Sequence, residues 1–190
     1  MIWLLACSEY GVRQGPDVPV AEPPGAAEDD FGDPPDWGDC TAGFDGLYSN
    51  LAVEVEDAEV GDPLTQDWWD APAFARFDPN LEFGSGWWPV DEGLAGDPAY
   101  FAAEWTAWLR VWEDGEHPFV VGAKDDLWVW VNGELVVELP GPQDYAPQEI
   151  TLPLEVGQYP LRVRFAQRSS EGSGLRFRPL SEDLSICLPE

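Results

Sequence analysis

Basic residues are scarce in this chain. Nine Lys and Arg stand against 37 Asp and Glu, with one His, so the formal net charge is −28 over 190 residues. Nucleic acid is thereby excluded as a partner class, because phosphate recognition needs clustered cations. Electrostatic docking on anionic lipid is excluded for the same reason. Helical periodicity is also missing: no stretch sustains an apolar 3.6-residue repeat, and 19 Pro and 19 Gly are spread along the chain. No run approaches the ~18–20 apolar residues of a membrane-spanning helix. Catalytic motifs are lacking too, with no Gly-x-Ser-x-Gly elbow, His-Glu-x-x-His helix or phosphate-binding Gly loop. His117 stands in a turn-like Glu-His-Pro context and reads as a surface residue. A carboxylate pair at glycosidase spacing is the one catalytic arrangement that 37 acids leave open. What is present is ample apolar material: 44% of residues are hydrophobic and 11 are Trp, enough for a folded core. The length suits one domain and a tail. An acidic surface of this kind stays soluble and can collect divalent cations, although adaptation to salt gives the same composition.

The opening Met1-Ile2-Trp3-Leu4-Leu5-Ala6-Cys7-Ser8 resembles the lipobox of bacterial lipoproteins, which implies lipidation at Cys7. Only six residues precede Cys7, and none is basic, so 1–6 read as the end of a longer signal. The alternative is a frayed apolar N-terminus that happens to contain Cys. Residues 8–39 hold six Pro, five Gly and nine acids against one Arg. That composition predicts a disordered, self-repelling tether over 7–39, ahead of a folded domain at 40–190. With Cys7 lipidated, Cys40 and Cys187 remain, and they bracket the domain. In an exported protein they are expected to form a disulfide; two buried free thiols are the alternative. Closing so long a loop is worth ~4–5 kcal/mol in the chain-entropy account.

From residue 43 the pattern is period two. Leu127-Trp128-Val129-Trp130-Val131 runs into Asn132-Gly133 and returns as Glu134-Leu135-Val136-Val137-Glu138-Leu139, a hairpin with a type I′ turn. Trp105, Ala107, Leu109 and Val111 share one face, with Thr106, Trp108, Arg110 and Trp112 on the other. Further strands are predicted at 47–55, 73–77, 118–121, 148–155, 159–167 and 174–180. In the strand at 159–167, Arg162 and Arg164 form a basic outer face. Many short strands divided by turn signals predict an all-β, antiparallel two-sheet β-sandwich.

Five ordered blocks carry a family resemblance. They are Gly46-Leu47-Tyr48-Ser49-Asn50, Phe77-Asp78-Pro79-Asn80-Leu81-Glu82-Phe83-Gly84-Ser85-Gly86, Phe101-Ala102-Ala103-Glu104-Trp105-Thr106-Ala107-Trp108-Leu109, Asp125-Asp126-Leu127-Trp128-Val129-Trp130-Val131-Asn132-Gly133-Glu134-Leu135-Val136 and Leu154-Glu155-Val156-Gly157-Gln158-Tyr159-Pro160-Leu161-Arg162-Val163. Over about residues 43–180 the chain resembles the protective-antigen 14-kilodalton-type (PA14) domain, a jelly-roll-like sandwich. Its later half is similar to the fibro-slime domain, with Phe165-Ala166-Gln167-Arg168-Ser169-Ser170 ending the second strand. The family block fills nearly the whole folded region, so the resemblance implies a binding module and not an enzyme.

In sugar-binding members, two consecutive Asp joined by a cis peptide grip Ca²⁺. The resemblance implies that Asp125 and Asp126 do so here, with Gln167 and Glu171 adding oxygens. Ca²⁺ wants six to eight hard oxygens, which fits a paired-carboxylate site. The loop from Gln167 to Ser173 lacks the Asn that sugar binders place there. Arg168, Ser169 and Ser170 are the ligand candidates on that loop. The alternative for the acidic pair is structural: it caps the turn or pairs with Lys124 or Arg168. Trp128 and Trp130 share the face opposite the aliphatic residues, either as an exposed stacking surface for sugar or packed under a loop or the tether. Of Trp68-Trp69 and Trp87-Trp88, one member of each pair is expected to be buried. The expected partner is a glycan or cell-surface polymer, with calcium as the implied cofactor. The alternative is a structural or protein-interaction module of the cell envelope. Ser8 following Cys7 leans towards the outer membrane or cell surface.

Overall fold

A computed structural model describes residues 37–52, 55, 60–86 and 99–189. Cys7, nearly all of the tether and the Trp87-Trp88 pair lie outside the described residues. Period-two sequences become strands here because alternate side chains face opposite sides of a pleated sheet. Twelve strands are present among the described residues: β1 (Cys40–Ala42), β2 (Phe44–Asn50), β3 (Phe74–Asp78), β4 (Leu81–Ser85), β5 (Phe101–Val111), β6 (Gly115–Ala123), β7 (Asp126–Val131), β8 (Glu134–Leu139), β9 (Gln148–Leu154), β10 (Gly157–Gln167), β11 (Gly174–Pro179) and β12 (Leu184–Pro189). They form two antiparallel sheets, as the alternation predicts. The larger sheet runs β1-β12-β5-β10-β7-β8, and β2 joins it between β5 and β3. The smaller sheet runs β4-β11-β6-β9.

The spine is β5. One edge pairs with β10 along its whole length. The other is shared, with β2 against residues 101–106 and β12 against 108–111. Its inward set, which includes Phe101, Trp105, Leu109 and Val111, is buried with Val129, Val163 and Phe165 against Phe119, Val121, Leu175 and Phe177 of the smaller sheet. Each such side chain contributes about 1.5–3 kcal/mol by leaving water. Asn132 at φ 52 and Gly133 at φ 80 make the β7–β8 hairpin turn, as the dipeptide predicts. Cys40 and Cys187 are joined across β1 and β12, with Cα atoms 5.6 Å apart and a sequence separation of 147. The bridge ties the start of the domain to its end.

A polar cluster locks β2 and β3 onto β5. Asp78 accepts from the Tyr48 hydroxyl at 2.5 Å, Trp105 Nε1 at 2.8 Å and Arg76 Nε at 2.8 Å. Arg76 Nη2 donates to the Tyr48 oxygen at 2.7 Å. Three donors on one buried carboxylate offset its loss of water.

The larger sheet has a second, smaller core on its outer face. Trp68 and Trp69 sit on a single 3-10 turn, Asp67–Trp69. They pack over Ala102, Trp128, Trp130 and Ala166, with Leu51 and Tyr100. Trp69 Nε1 donates to the Ala103 carbonyl at 3.0 Å, and its ring meets Trp128 edge-on at 6.0 Å. Arg164 lies over the Trp69 ring at 4.7 Å and pairs with Glu104 at 2.5 Å. Two expectations are corrected here. Both Trp68 and Trp69 are buried, because the turn presents the two rings to the same sheet face. His117 is also buried, on the inward alternation of β6, with its ring 3.0 Å from the Glu113 carbonyl oxygen.

Candidate functional site

Three loops meet at one end of the sandwich: β6–β7 with Lys124 and Asp125, β8–β9 over 140–147, and β10–β11 over 168–173. Strand register brings them together, because Ala166 pairs with Asp126 and Leu175 with Ala123. The acidic pair, Gln167 and Arg168 are thereby brought together, and most of the pair's oxygens are met by donors of the protein itself. The Asp125–Asp126 peptide is trans where the resemblance implied cis. The bend comes instead from Asp125 itself, at φ 67, a left-handed conformation that Asp tolerates better than most residues.

Asp126 is wholly engaged. Its Oδ2 takes Arg168 Nε at 2.5 Å, and its Oδ1 takes the Gly141 N–H at 2.5 Å and Arg168 Nη2 at 3.3 Å. Asp125 Oδ2 accepts the Arg168 N–H at 2.7 Å and Gln167 Nε2 at 2.8 Å. Gln167 Nε2 also donates to the Gly172 carbonyl at 2.6 Å and the Ser169 carbonyl at 2.9 Å, which closes the β10–β11 loop. Gln143 clasps the Asp125 backbone, donating to its carbonyl at 2.9 Å. The Arg168 side chain is only 2% exposed; it reaches the Val55 carbonyl at 3.1 Å and lies over Trp68 at 5.4 Å. Two buried acceptors have no donor: Asp125 Oδ1 and Gln167 Oε1. Burial pushes the carboxyls of Asp125 and Asp126 above the usual range, and hydrogen bonds from Arg168 draw both part of the way back.

The remaining candidates divide. Ser169 is half-buried on the loop, while Ser170 and Glu171 are exposed. Glu171 does not join the pair: among the described residues no group of three or more His, Cys, Asp or Glu stands in a metal-holding arrangement. Trp128 and Trp130 are not an exposed stacking surface. They are 1% and 5% exposed, because the Trp68-Trp69 turn covers their strand. This is the covered alternative.

Trp130 nonetheless lines an open groove further along the same face. The groove, of about 420 Å³, is lined by Leu64, Thr106, Trp108, Trp130, Pro160 and Arg162. A smaller hollow of about 300 Å³ lies beside the acidic pair, with Gln143, Asp144 and Gln148 in its wall. Neither Trp108 nor Gln143 was singled out as a site residue by the sequence reading. The outward alternation of β5 marks Trp108 and Thr106, but only the pairing of Pro160 with Trp108 and Arg162 with Thr106 shows what lies beside them.

A family model described as the PA14 domain matches residues 63–186, more than half of the chain. The chain belongs to the PA14 domain family, and its two-sheet sandwich agrees. Among solved structures it is similar to the PA14 sugar-binding domain from an RTX adhesin, with TM-score 0.58, 18% identity and coverage of 77% of this chain and 94% of that one. It is also similar to the epithelial adhesin 9 A domain of Candida glabrata in complex with Galβ1-3GlcNAc, with TM-score 0.55, 14% identity and coverage of 78% and 90%. A third is an anti-sigma factor domain-containing protein, with TM-score 0.56 and 19% identity; the match takes in 78% of this chain but 46% of that one. No curated protein matches the chain.

Proposed function

We propose that this PA14 domain is a non-catalytic carbohydrate-binding module of an exported protein. The observation that carries the reading is the outer-face groove. Indole surface from the half-buried Trp108, bordered by the edge of the largely covered Trp130, lies beside a hydroxyl, Thr106, and a guanidinium, Arg162, in a depression of about 420 Å³. That is an apolar floor with a few directed polar groups, the usual make-up of a small-ligand site. Flat aromatic surface suits the C–H faces of a sugar ring. The family and two of the similar structures, a sugar-binding domain and an adhesin domain in complex with a disaccharide, support the ligand class. Ser169 and Ser170 offer further hydroxyls at the loop end. The Cys40–Cys187 bridge supports export, because such bonds persist in oxidising compartments. Lipidation at Cys7 belongs to the same proposal and would anchor the module to a membrane.

A glycan array probed with the full chain tests it. Binding should appear for a defined glycan set and fall at least about tenfold in Trp108→Ala, the loss of ~1.4 kcal/mol of stacking. Undiminished binding in both Trp108→Ala and Arg162→Ala would remove the groove from the account.

One observation favours an envelope protein-interaction module as a second reading. Leu47 and Phe77 are 41% and 46% exposed on the β2–β3 edge. They flank a hollow of about 490 Å³ that also includes Arg76 and Glu104. Under this reading Leu47→Ser with Phe77→Ser would abolish recruitment of an envelope protein and leave glycan binding intact.

A further inference from the structure

We infer that Arg168 is a built-in cation: its guanidinium binds Asp126 while its backbone N–H binds Asp125, in place of a metal ion, so the loop end is formed without calcium. The donor set present does not make a calcium shell. Calcium takes six to eight oxygens. Both oxygens of Asp126 are engaged by Arg168 and the Gly141 N–H, and Asp125 Oδ2 already accepts two donors. Only Asp125 Oδ1 and Gln167 Oε1 are left without a partner, and Glu171 stands exposed outside the pair.

Arg168 is also seated as an internal ion would be. Its side chain is 2% exposed and that of Asp126 is 0% exposed. It spans from the acidic pair to the Val55 carbonyl and the Trp68 ring. A divalent ion at the pair would have to displace a guanidinium bonded on several sides. Arg carries its charge at any working pH and donates in a fixed planar fork. The charge it supplies is therefore permanent, whereas a bound ion comes and goes with its concentration. The two unpaired oxygens are acceptors, and what they can take is donors: water, or the hydroxyls of a ligand.

Thermal melts of the full chain in EDTA and in millimolar calcium, with magnesium at matched ionic strength, test this. The wild type should melt at the same temperature in all three. Arg168→Gln should melt lower in EDTA. Arg168→Lys, which keeps the charge but loses the fork, should fall between the two and likewise ignore calcium. If Arg168→Gln does not fold, terbium luminescence on the wild type replaces it, with no saturable signal expected. A saturable, calcium-specific rise in the wild type that Asp126→Asn abolishes would overturn the inference. So would an Arg168→Gln protein that melts like the wild type in EDTA. None of these readouts uses a glycan, so failure here is distinct from failure of the proposed function.

Discussion

Two Asp–Arg clusters are buried in this domain, and they differ in how completely their lone pairs are filled. At Asp78, three donors from β2, β3 and β5 converge on one carboxylate, and Arg76 bonds the Tyr48 hydroxyl as well. At the loop end, Arg168 satisfies Asp126, yet Asp125 Oδ1 and Gln167 Oε1 lack donors. The first cluster sits within the sheet and does what a filled network does, fixing strand order and register. The second sits on three loops and keeps acceptors in reserve, the arrangement expected where a ligand or ordered water completes the bonding. Burial alone therefore does not distinguish the two clusters; how far their acceptors are filled does.

The comparison can be broken most forcefully at Asp78. Asp78→Ala strands the donors of Tyr48, Trp105 and Arg76 together, and urea unfolding should show a loss of about 3–5 kcal/mol. Asp126→Ala should cost about 3 kcal/mol by leaving Arg168 without its counter-ion, eased by the Val55 carbonyl and the Trp68 ring. A loss at Asp126 well above that at Asp78 would invert the comparison.

Tyr48→Phe removes one hydroxyl and should cost about 1 kcal/mol at neutral pH. Burial, with Asp78 beside it, pushes the Tyr48 hydroxyl far above its ordinary value of 10.0. The folded state thus holds its proton where the unfolded chain gives it up. The resulting stability is fully present below about pH 10 and is lost as pH rises towards the folded value. In alkaline melts the wild type should therefore decline more steeply than Tyr48→Phe, and parallel curves would count against the cluster. The smallest effect is expected at Asp125→Asn. The Asn carbonyl can still accept from Gln167 and Arg168, and its amide can donate, so stability should change by less than about 1 kcal/mol. A loss as large as that of Asp78→Ala would show that the loop end is as tightly built as the sheet.

Much of the fold is legible in the sequence, because period-two alternation is a local signal. Asn132-Gly133 marks its hairpin, and the alternating faces of 105–112 and 127–131 are those observed. The pattern in the sequence does not reach β1 and β4, which lie at sheet edges, or β12, near the domain's end. At the site, the convergence of Asp125, Asp126, Gln167 and Arg168 is implied by the family blocks. Its bonding is not: whether the Arg168 side chain turns onto Asp126 or out to solvent depends on tertiary neighbours such as Val55 and Trp68. The same holds for Trp128 and Trp130. Alternation places them on the outer face, but only the fold brings the Trp68-Trp69 turn down to cover them.

A double-mutant cycle between Arg168 and Asp126, measured by denaturant unfolding in EDTA, shows whether the guanidinium is the counter-ion of Asp126. Asp126→Ala, Arg168→Met and the double variant are compared with the wild type. Strong coupling is expected, with the double variant losing at least about 1.5 kcal/mol less than the sum of the single losses. Additive losses would show that the guanidinium is not the cation that neutralises Asp126.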